Sequence, residues 1–488
     1  MATLITRTLL PLLALTIFPA AVLATAGTGT PLDLTHSPVG LLALGIFILS
    51  YVVVMSEEFT HLRKSKPVIL AAGIIWAMIA FVYAGQGDSD SVEAALSHNL
   101  LEFSELFLFL LAAMTYVNAM DERLVFQSLR TYLVSKGLGY RSLFWMTGLL
   151  AFFLSPMIDN LTTALVMCAV LLAVGKDSPR FVSIGCVNIV VAANAGGAFS
   201  PFGDITTLMV WQKELIDFGT FFRLFLPSVV NFLVPAAIMH FAIPARKPAA
   251  DMQRIPMRRG ARRIMLLFAL TISTAVGFHQ FLHLPPFLGM MTGLAYLQFF
   301  SYYLKRTRES MAARNDKPEA FGGASDVAMG DASESGYDFF NRLARAEWDT
   351  LLFFYGVVLC VGGLAFIGYL NLVSTLLYID IGPTFANITV GMLSAIVDNI
   401  PVMFAVFSMS PDMTQGQWLL VTLTTGVGGS LLSIGSAAGV ALMGQSRGQY
   451  TFFSHLKWTP AILLGYAASI LLHMWINADS FDLPVVTS

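Results

Sequence analysis

Three aspartates, Asp159, Asp204 and Asp398, lie inside long apolar stretches of the sequence. Insertion of an aspartate at the centre of a bilayer costs roughly 2.5–3.5 kcal/mol, so such residues persist only when they are neutral, paired or bound to an ion. A single one could be a protonated carboxyl group satisfied by a neighbouring carbonyl. Three of them, each in an interrupted helix beside hydroxyl or amide side chains, favour a site for a small hard cation.

The candidate ligands share an oxygen-bearing side chain and a position at or beside a predicted helix break. Sodium needs several oxygen ligands, which carboxylates, amides, hydroxyls and freed backbone carbonyls supply. We expect the sodium ion itself at Asp159, Asn160, Asn194 and Asp204. The wider set in this part of the chain is Ser155, Asp159, Asn160, Thr162, Thr163, Asn194, Ser200, Asp204 and Thr206.

A carboxyl group in a poorly solvated site favours its neutral form. It therefore holds a proton when the site is empty and releases it when a cation binds. Competition of this kind is by itself a mechanism of proton/cation exchange.

The elements that position these residues are interrupted helices. Apolar stretches at 141–175, 180–212, 384–409 and 417–443 are broken by short runs of Ser, Pro, Gly, Asp and Asn. Backbone groups freed by a break in lipid are tolerated only where protein or a water-filled cavity satisfies them. Uninterrupted windows long enough to span a bilayer lie at 6–25, 38–55, 67–85, 101–120, 221–244, 263–283, 285–304, 347–370 and 458–477.

Composition supports an all-α polytopic membrane protein. Of the 488 residues, 56% are hydrophobic and 12% are charged, about half the charged fraction of soluble domains. The net charge of −2 offers no basic field for nucleic acid, so the expected partner is the lipid bilayer. We find no motif of a hydrolase, nucleotide-binding or dinucleotide-binding enzyme, and we predict neither catalysis nor a bound cofactor.

Two halves of the chain repeat the same order of motifs. Ser-x-x-x-Asp-Asn occurs at 155–160 and 394–399, and a Gly-Gly pair with a polar tip follows in each half. Basic residues favour cytoplasmic loops, which places the acidic loop at 87–93 outside and makes spans 101–120 and 347–370 run in opposite directions. We therefore predict an inverted repeat with two re-entrant helical hairpins and two broken transmembrane helices.

This reading divides the chain into six parts. They are a signal peptide or first helix (1–26), N-terminal scaffold helices (27–100), repeat 1 (101–244), a basic loop with two scaffold helices and a flexible cytoplasmic linker (245–346), repeat 2 (347–477) and a C-terminal tail (478–488).

Four further acidic residues correspond across the repeat: Glu102 and Glu105 in the first half, Glu347 and Asp349 in the second. All four lie near predicted helix ends, where ordinary interfacial charge is equally expected. The functional alternative is a proton relay or an ion access path.

The runs at 155–164, 194–204 and 347–354 together resemble NhaD-type sodium/proton antiporters, members of the superfamily that also holds arsenite permeases and dicarboxylate carriers. The resemblance covers nearly the whole chain. It implies exchange of Na⁺ or Li⁺ for H⁺ at alkaline pH across a bacterial inner membrane, by a multi-pass homodimer with a scaffold part and a moving part. It also implies functional roles for Asp159, Asn160, Thr162, Asn194, Asp204, Thr206, Asp349, Ser394, Asp398, Asn399, Ser433 and Ser436.

Two other functions fit parts of the pattern. A sodium- or proton-coupled permease for a dicarboxylate or arsenite would offer hydroxyls and helix N-termini, and three core aspartates disfavour it. An intramembrane aspartyl protease also needs two membrane aspartates, but the sequence lacks the partner Tyr-Asp motif and a protease has no use for an inverted repeat.

Overall fold

A computed structural model describes residues 32–60, 62–247, 254–315 and 343–485. Within these ranges all regular secondary structure is helical, and nine helices are long and apolar enough to cross a membrane. The all-α, multi-pass prediction is thereby confirmed. Residues 1–26 and most of the predicted linker lie outside the described residues.

The first half of the described chain contains nine helices. They are α1 (Pro38–Met55), α2 (Ser65–Ala84), α3 (Ser89–Glu122), α4 (Val125–Ser135), α5 (Tyr140–Ile158), α6 (Asn160–Val174), α7 (Pro179–Gly197), α8 (Ile205–Gln212) and α9 (Phe225–His240). A one-turn helix (Glu57–Thr60) and a 3₁₀ helix (Phe218–Leu224) connect them.

The second half contains ten more. They are α10 (Ala261–Leu282), α11 (Pro286–Asn315), α12 (Trp348–Phe366), α13 (Tyr369–Ser374), α14 (Pro383–Leu393), α15 (Asn399–Met409), α16 (Gln415–Gly428), α17 (Ala437–Gln445), α18 (Phe452–Leu456) and α19 (Thr459–Ile476). A π-helical segment (Thr375–Ile381) and a 3₁₀ helix (Ala478–Phe481) complete this half.

The start of α3 differs from the prediction. The acidic stretch 87–93 was expected to be a loop, but the helix begins at Ser89 because Asp88 caps it, its Oδ1 accepting from Ser91 N at 3.3 Å. Short acidic side chains at an N-cap satisfy amides that have no partner within the helix. The helix therefore continues well beyond the apolar window at 101–120.

The breaks in the helices lie where the sequence places them. Helices α5 and α6 meet at Asp159, and α7 and α8 are separated by residues 198–204. In the second half α14 and α15 are separated by residues 394–398, and α16 and α17 by residues 429–436. Each pair packs on the other within its own half, α5 on α7 and α14 on α16.

Two glycines allow this packing in equivalent ways. A Cβ on Gly196 would lie 2.1 Å from the carbonyl oxygen of Phe152, and a Cβ on Gly428 would lie 2.1 Å from that of Gly391. Neither distance is possible for a real side chain. Gly196 therefore lets α7 contact α5, and Gly428 lets α16 contact α14.

The remaining long helices surround these broken elements. Helix α2 packs on α1 and α12, α10 packs on α11, and α9 crosses α19. Nearly all of α7 and α16 is buried, which places the two helices with Gly-Gly ends at the centre of the molecule. Lipid-facing apolar side chains lie on the outer helices, as expected when the solvent is a bilayer.

Candidate functional site

Asp159 lies at the first break, between α5 and α6. Its backbone has φ 97° and ψ 156°, a strained conformation for a residue with a side chain. Its carboxylate caps α6, Oδ1 accepting from Thr162 N at 2.7 Å and Oδ2 from Thr162 Oγ1 at 2.9 Å. The carboxylate is thus fixed at the positive end of a helix, where negative charge is stabilised.

The second break and its counterpart have nearly the same backbone geometry. Asp204 caps α8 with φ −140° and ψ 144°, and Ser436 caps α17 with φ −140° and ψ 148°. Asp204 Oδ1 accepts from Thr206 N at 3.2 Å, and Ser436 Oγ accepts from Gly439 N at 3.3 Å. A carboxylate in one half and a hydroxyl in the other therefore occupy equivalent positions.

Amide side chains connect the two halves. Asn399 Nδ2 donates to both carboxylate oxygens of Asp204, at 3.2 and 3.0 Å. Asn194 Nδ2 donates to Ser436 Oγ at 3.1 Å, and Asn194 Oδ1 accepts from Asn160 Nδ2 at 3.2 Å. Each polar tip is thus bonded to the opposite half of the molecule.

One cavity brings the predicted aspartates together. Asp159, Asp204 and Asp398 all line it, with a wall of apolar residues from α3. The polar residues around it are Lys64, Asn118, Asp159, Asn160, Thr162, Asp204, Glu347, Thr350, Asp398 and Asn399. It is a partly open chamber with oxygen-bearing side chains from both halves.

Four buried hydroxyls near the breaks have no hydrogen-bond partner among the described residues: Thr163 Oγ1, Thr206 Oγ1, Thr207 Oγ1 and Ser433 Oγ. All of these residues except Thr207 were predicted from the sequence. A buried polar atom without a partner costs about 1–3 kcal/mol, so such atoms need an explanation. An oxygen that can turn toward a bound cation is one.

Ser155 and Ser394 lie behind the cavity instead of lining it. Ser155 Oγ donates to the carbonyl of Ala193 at 2.6 Å, and Ser394 Oγ donates to the carbonyl of Thr425 at 2.9 Å. These hydroxyls brace α5 against α7 and the end of α14 against α16. The structure therefore gives them equivalent bracing contacts in the two halves.

Comparison with known proteins finds relatives along nearly the whole chain. The family model described as "Citrate transporter" matches residues 2–426. The Na(+)/H(+) antiporter NhaD of Alkalimonas amylolytica is 57% identical over 94% of this chain and 95% of its own length, and that of Vibrio cholerae is 56% identical over 96% and 98%. Sodium/proton antiporter 1 of Arabidopsis thaliana is 30% identical over 96% of this chain and 78% of its own length.

The chain belongs to the NhaD antiporter family. This confirms the resemblance found in the sequence, and it places the chain among transporters.

The four acidic residues predicted to form a proton relay or ion path lie at two separate places in the structure of this NhaD family member. Glu347 lines the main cavity and accepts from Thr350 Oγ1 at 3.2 Å. Asp349 is not among the residues that line the cavity in the described structure; its Oδ1 accepts from Ser65 Oγ at the start of α2. The start of α12 is thus joined to the start of α2 near the cavity.

Glu102 and Glu105 line a separate, smaller cavity with Lys213, the residue that follows α8. The Lys213 ammonium contacts Glu102 Oε1, and His98 Nε2 lies 3.0 Å from the same oxygen. Leu106 lines this cavity, whereas Phe109, one turn further along α3, lines the main one. The two cavities therefore lie on either side of a short apolar stretch.

Lys64 was not predicted as a site residue. In the sequence it is one of three basic residues between the apolar windows 38–55 and 67–85, and nothing distinguishes it from Arg63 or Lys66. In the structure its ammonium lies 3.6 Å from Asp398 Oδ2 and 4.5 Å from the centre of the Phe353 ring. Only the packing of α2 against α12 brings this loop to the cavity.

Proposed function

We propose that this protein exchanges Na⁺ for H⁺ across a bacterial plasma membrane. The observation that carries the proposal is the cavity in which Asp159 and Asp204 lie with amide and hydroxyl oxygens from both halves. The NhaD relatives are antiporters of Na⁺ and H⁺ by name, at 56–57% identity over nearly the whole chain. The sequence resemblance extends the cargo to Li⁺ and the working range to alkaline pH.

Sodium and protons compete for the same oxygens. Asp159 and Asp204 each carry a full negative charge when deprotonated, and each is already held at a helix N-terminus. Because a bound cation needs the ionised carboxylates, its binding releases protons, and its affinity falls as the pH falls. Asn160, Asn194 and Thr206 supply further oxygens, and Ser433 and Ser436 complete the site from the second half.

The two cavities and the repeated halves support a mechanism of alternating access. In this conformation the site opens into the main cavity, while an apolar stretch separates it from the cavity that holds Glu102 and Glu105. We propose that the hairpins and broken helices move against the scaffold helices α1, α2 and α9–α11. The same motion would close the main cavity and connect the site to the other one.

The inverted repeat and the re-entrant hairpins belong to this proposal. Equivalent backbone angles at Asp204 and Ser436 support a repeat, as do the equivalent close approaches of Gly196 and Gly428. Opposite orientations of the halves would give the exchange its two symmetric access states. The homodimer implied by the resemblance stays a prediction.

A coupled anion permease is the alternative, since the matching family model is described as "Citrate transporter". An anion needs positive charge at its site. The main cavity has three aspartates and Glu347 against a single lysine among its lining residues in the described structure, and that lysine is paired with Asp398. The charge of the cavity therefore favours a cation.

Everted membrane vesicles test the function. A respiration-driven proton gradient is followed with a pH-sensitive dye while Na⁺, Li⁺ or K⁺ is added, from neutral to strongly alkaline pH. We expect Na⁺ and Li⁺ to collapse the gradient, and citrate or another carboxylate to have no effect. No response to any cation from vesicles that contain the inserted protein would contradict the exchange, and uptake of a carboxylate would establish the permease.

A further inference from the structure

The second hairpin departs from the first at its aspartate. Asp159 caps α6, but Asp398, at the equivalent position before α15, makes no hydrogen bond to the N-terminal amides of that helix in the described structure. Its Oδ2 lies instead 3.6 Å from the ammonium of Lys64. The carboxylate of the second hairpin therefore faces a lysine, where its counterpart faces its own helix.

Lys64 is held in this position by more than its charge. Its ammonium lies over the face of the Phe353 ring, an arrangement that stabilises a cation when water is scarce. Both side chains of the ion pair are only 17% exposed. Ser65, the next residue, donates to Asp349 of α12, so two consecutive residues at the start of α2 contact the second half.

The pair also joins parts that the proposed mechanism moves apart. Lys64 belongs to the scaffold, and Asp398 belongs to the tip of a hairpin. An ammonium and a sodium ion have the same charge and compete for the same carboxylate oxygens. Because the Lys64 ammonium is covalently attached to the protein and lies beside the carboxylate, its effective concentration there exceeds that of any transported ion.

We propose that Lys64 is a tethered counter-ion for Asp398. Its ammonium neutralises the third carboxylate of the cavity, so that the transported cation binds at Asp159 and Asp204 alone. This positioning role rests on the proposed function. It accounts for the third aspartate of the cavity, because the amide and hydroxyl groups that could bind a cation surround only Asp159 and Asp204. It also predicts that removal of one member of the pair changes the net charge beside the cation site by one unit.

Sodium binding to the purified full-length protein tests this role without transport. Radioactive sodium binding is measured at alkaline pH, where the carboxylates of the site are ionised. In Asp398→Asn the unpaired Lys64 repels the ion, and we expect its half-saturating concentration to rise about tenfold. In Lys64→Met/Asp398→Asn the repelling charge is gone, and binding should return to within about threefold of wild type.

Lys66→Met/Asp398→Asn is the matched control, because it removes an equal charge from an exposed neighbour that does not line the cavity. It should bind sodium as weakly as Asp398→Asn alone. Lys64→Met by itself provides a second test should Asp398→Asn fail to fold: the unpaired Asp398 then attracts the ion, and the half-saturating concentration should fall.

Two results would overturn the role of Lys64. One is a double variant that binds no better than Asp398→Asn, and the other is a Lys64→Met protein that binds sodium with unchanged affinity. A wild-type protein that binds no sodium at all would instead overturn the proposed function, and this role with it. The failure of each proposal is therefore separately visible.

Discussion

Asn399 donates hydrogen bonds from one half of the molecule to both carboxylate oxygens of Asp204 in the other half, at 3.2 and 3.0 Å. Both residues are buried, Asp204 at the start of α8 and Asn399 at the start of α15. The amide replaces part of the water that an exposed carboxylate would have. The ionised form of Asp204 therefore depends on the second half.

Replacement of Asn399 by Ala removes this support. We expect the rate of exchange to fall about tenfold or more, because a hydrogen bond to a charged group contributes about 1.5–3 kcal/mol. Dye-monitored exchange in vesicles measures the loss. Asn371→Ala is the control, since Asn371 is exposed in the same half and lies outside both cavities; equal losses in the two variants would refute a specific role for Asn399.

Replacement of Asp159 or Asp204 by Asn removes a charge and keeps the shape of the side chain. Because the cation must displace a proton from these carboxylates, either substitution should abolish exchange. The protein should still be made and inserted, which size-exclusion chromatography in detergent would show. Asp217→Asn, in an exposed loop after α8, should exchange normally. Exchange retained by Asp204→Asn would remove that residue from the mechanism.

The close approach of the broken helices makes a prediction about stability. Gly196→Ala or Gly428→Ala would place a methyl group 2.1 Å from a backbone carbonyl, which forces the helices apart. Overpacking of this kind typically costs about 1–3 kcal/mol, so the temperature of thermal unfolding in detergent should fall. Gly45→Ala, where a Cβ meets nothing within 4 Å, should leave it unchanged. Equal stability of all three variants would contradict the described packing.

Opposite orientation of the two hairpins can be tested with cysteine labelling. The three native cysteines are buried, so they contribute little background. Lys176 follows the first hairpin and Ser410 the second, and both are exposed. We expect a membrane-impermeant thiol reagent to label Lys176→Cys only from the cytoplasmic side and Ser410→Cys only from the outside. Labelling of both from one side would rule out the inverted repeat.

The sequence predicted the helix breaks and the three aspartates of the cavity, because a break and a charge in an apolar stretch are local signals. Lys64 has no such signal, since its role depends on the packing of α2 against α12. The bracing roles of Ser155 and Ser394 also depend on tertiary packing. A hydroxyl beside a helix break can face a cavity or a neighbouring carbonyl, and the sequence spacing is the same in both cases.

The orientation predicted from the basic loops has two exceptions, and the structure pairs each of them with an acidic residue. Lys213 and Arg223 fall on the side where positive charge is disfavoured. Lys213 contacts Glu102, and Arg223 Nη1 lies 2.9 Å from Asp479 Oδ2. Both partners are distant in sequence.

The competition between sodium and protons is tested most directly by proton release from the purified protein. Sodium is added in weakly buffered detergent solution, and a pH indicator records the protons displaced. We predict release by the wild-type protein, diminishing at strongly alkaline pH where the empty site has already lost its protons, and none from Asp159→Asn/Asp204→Asn. Sodium binding without proton release, or undiminished release from the double variant, would contradict the account.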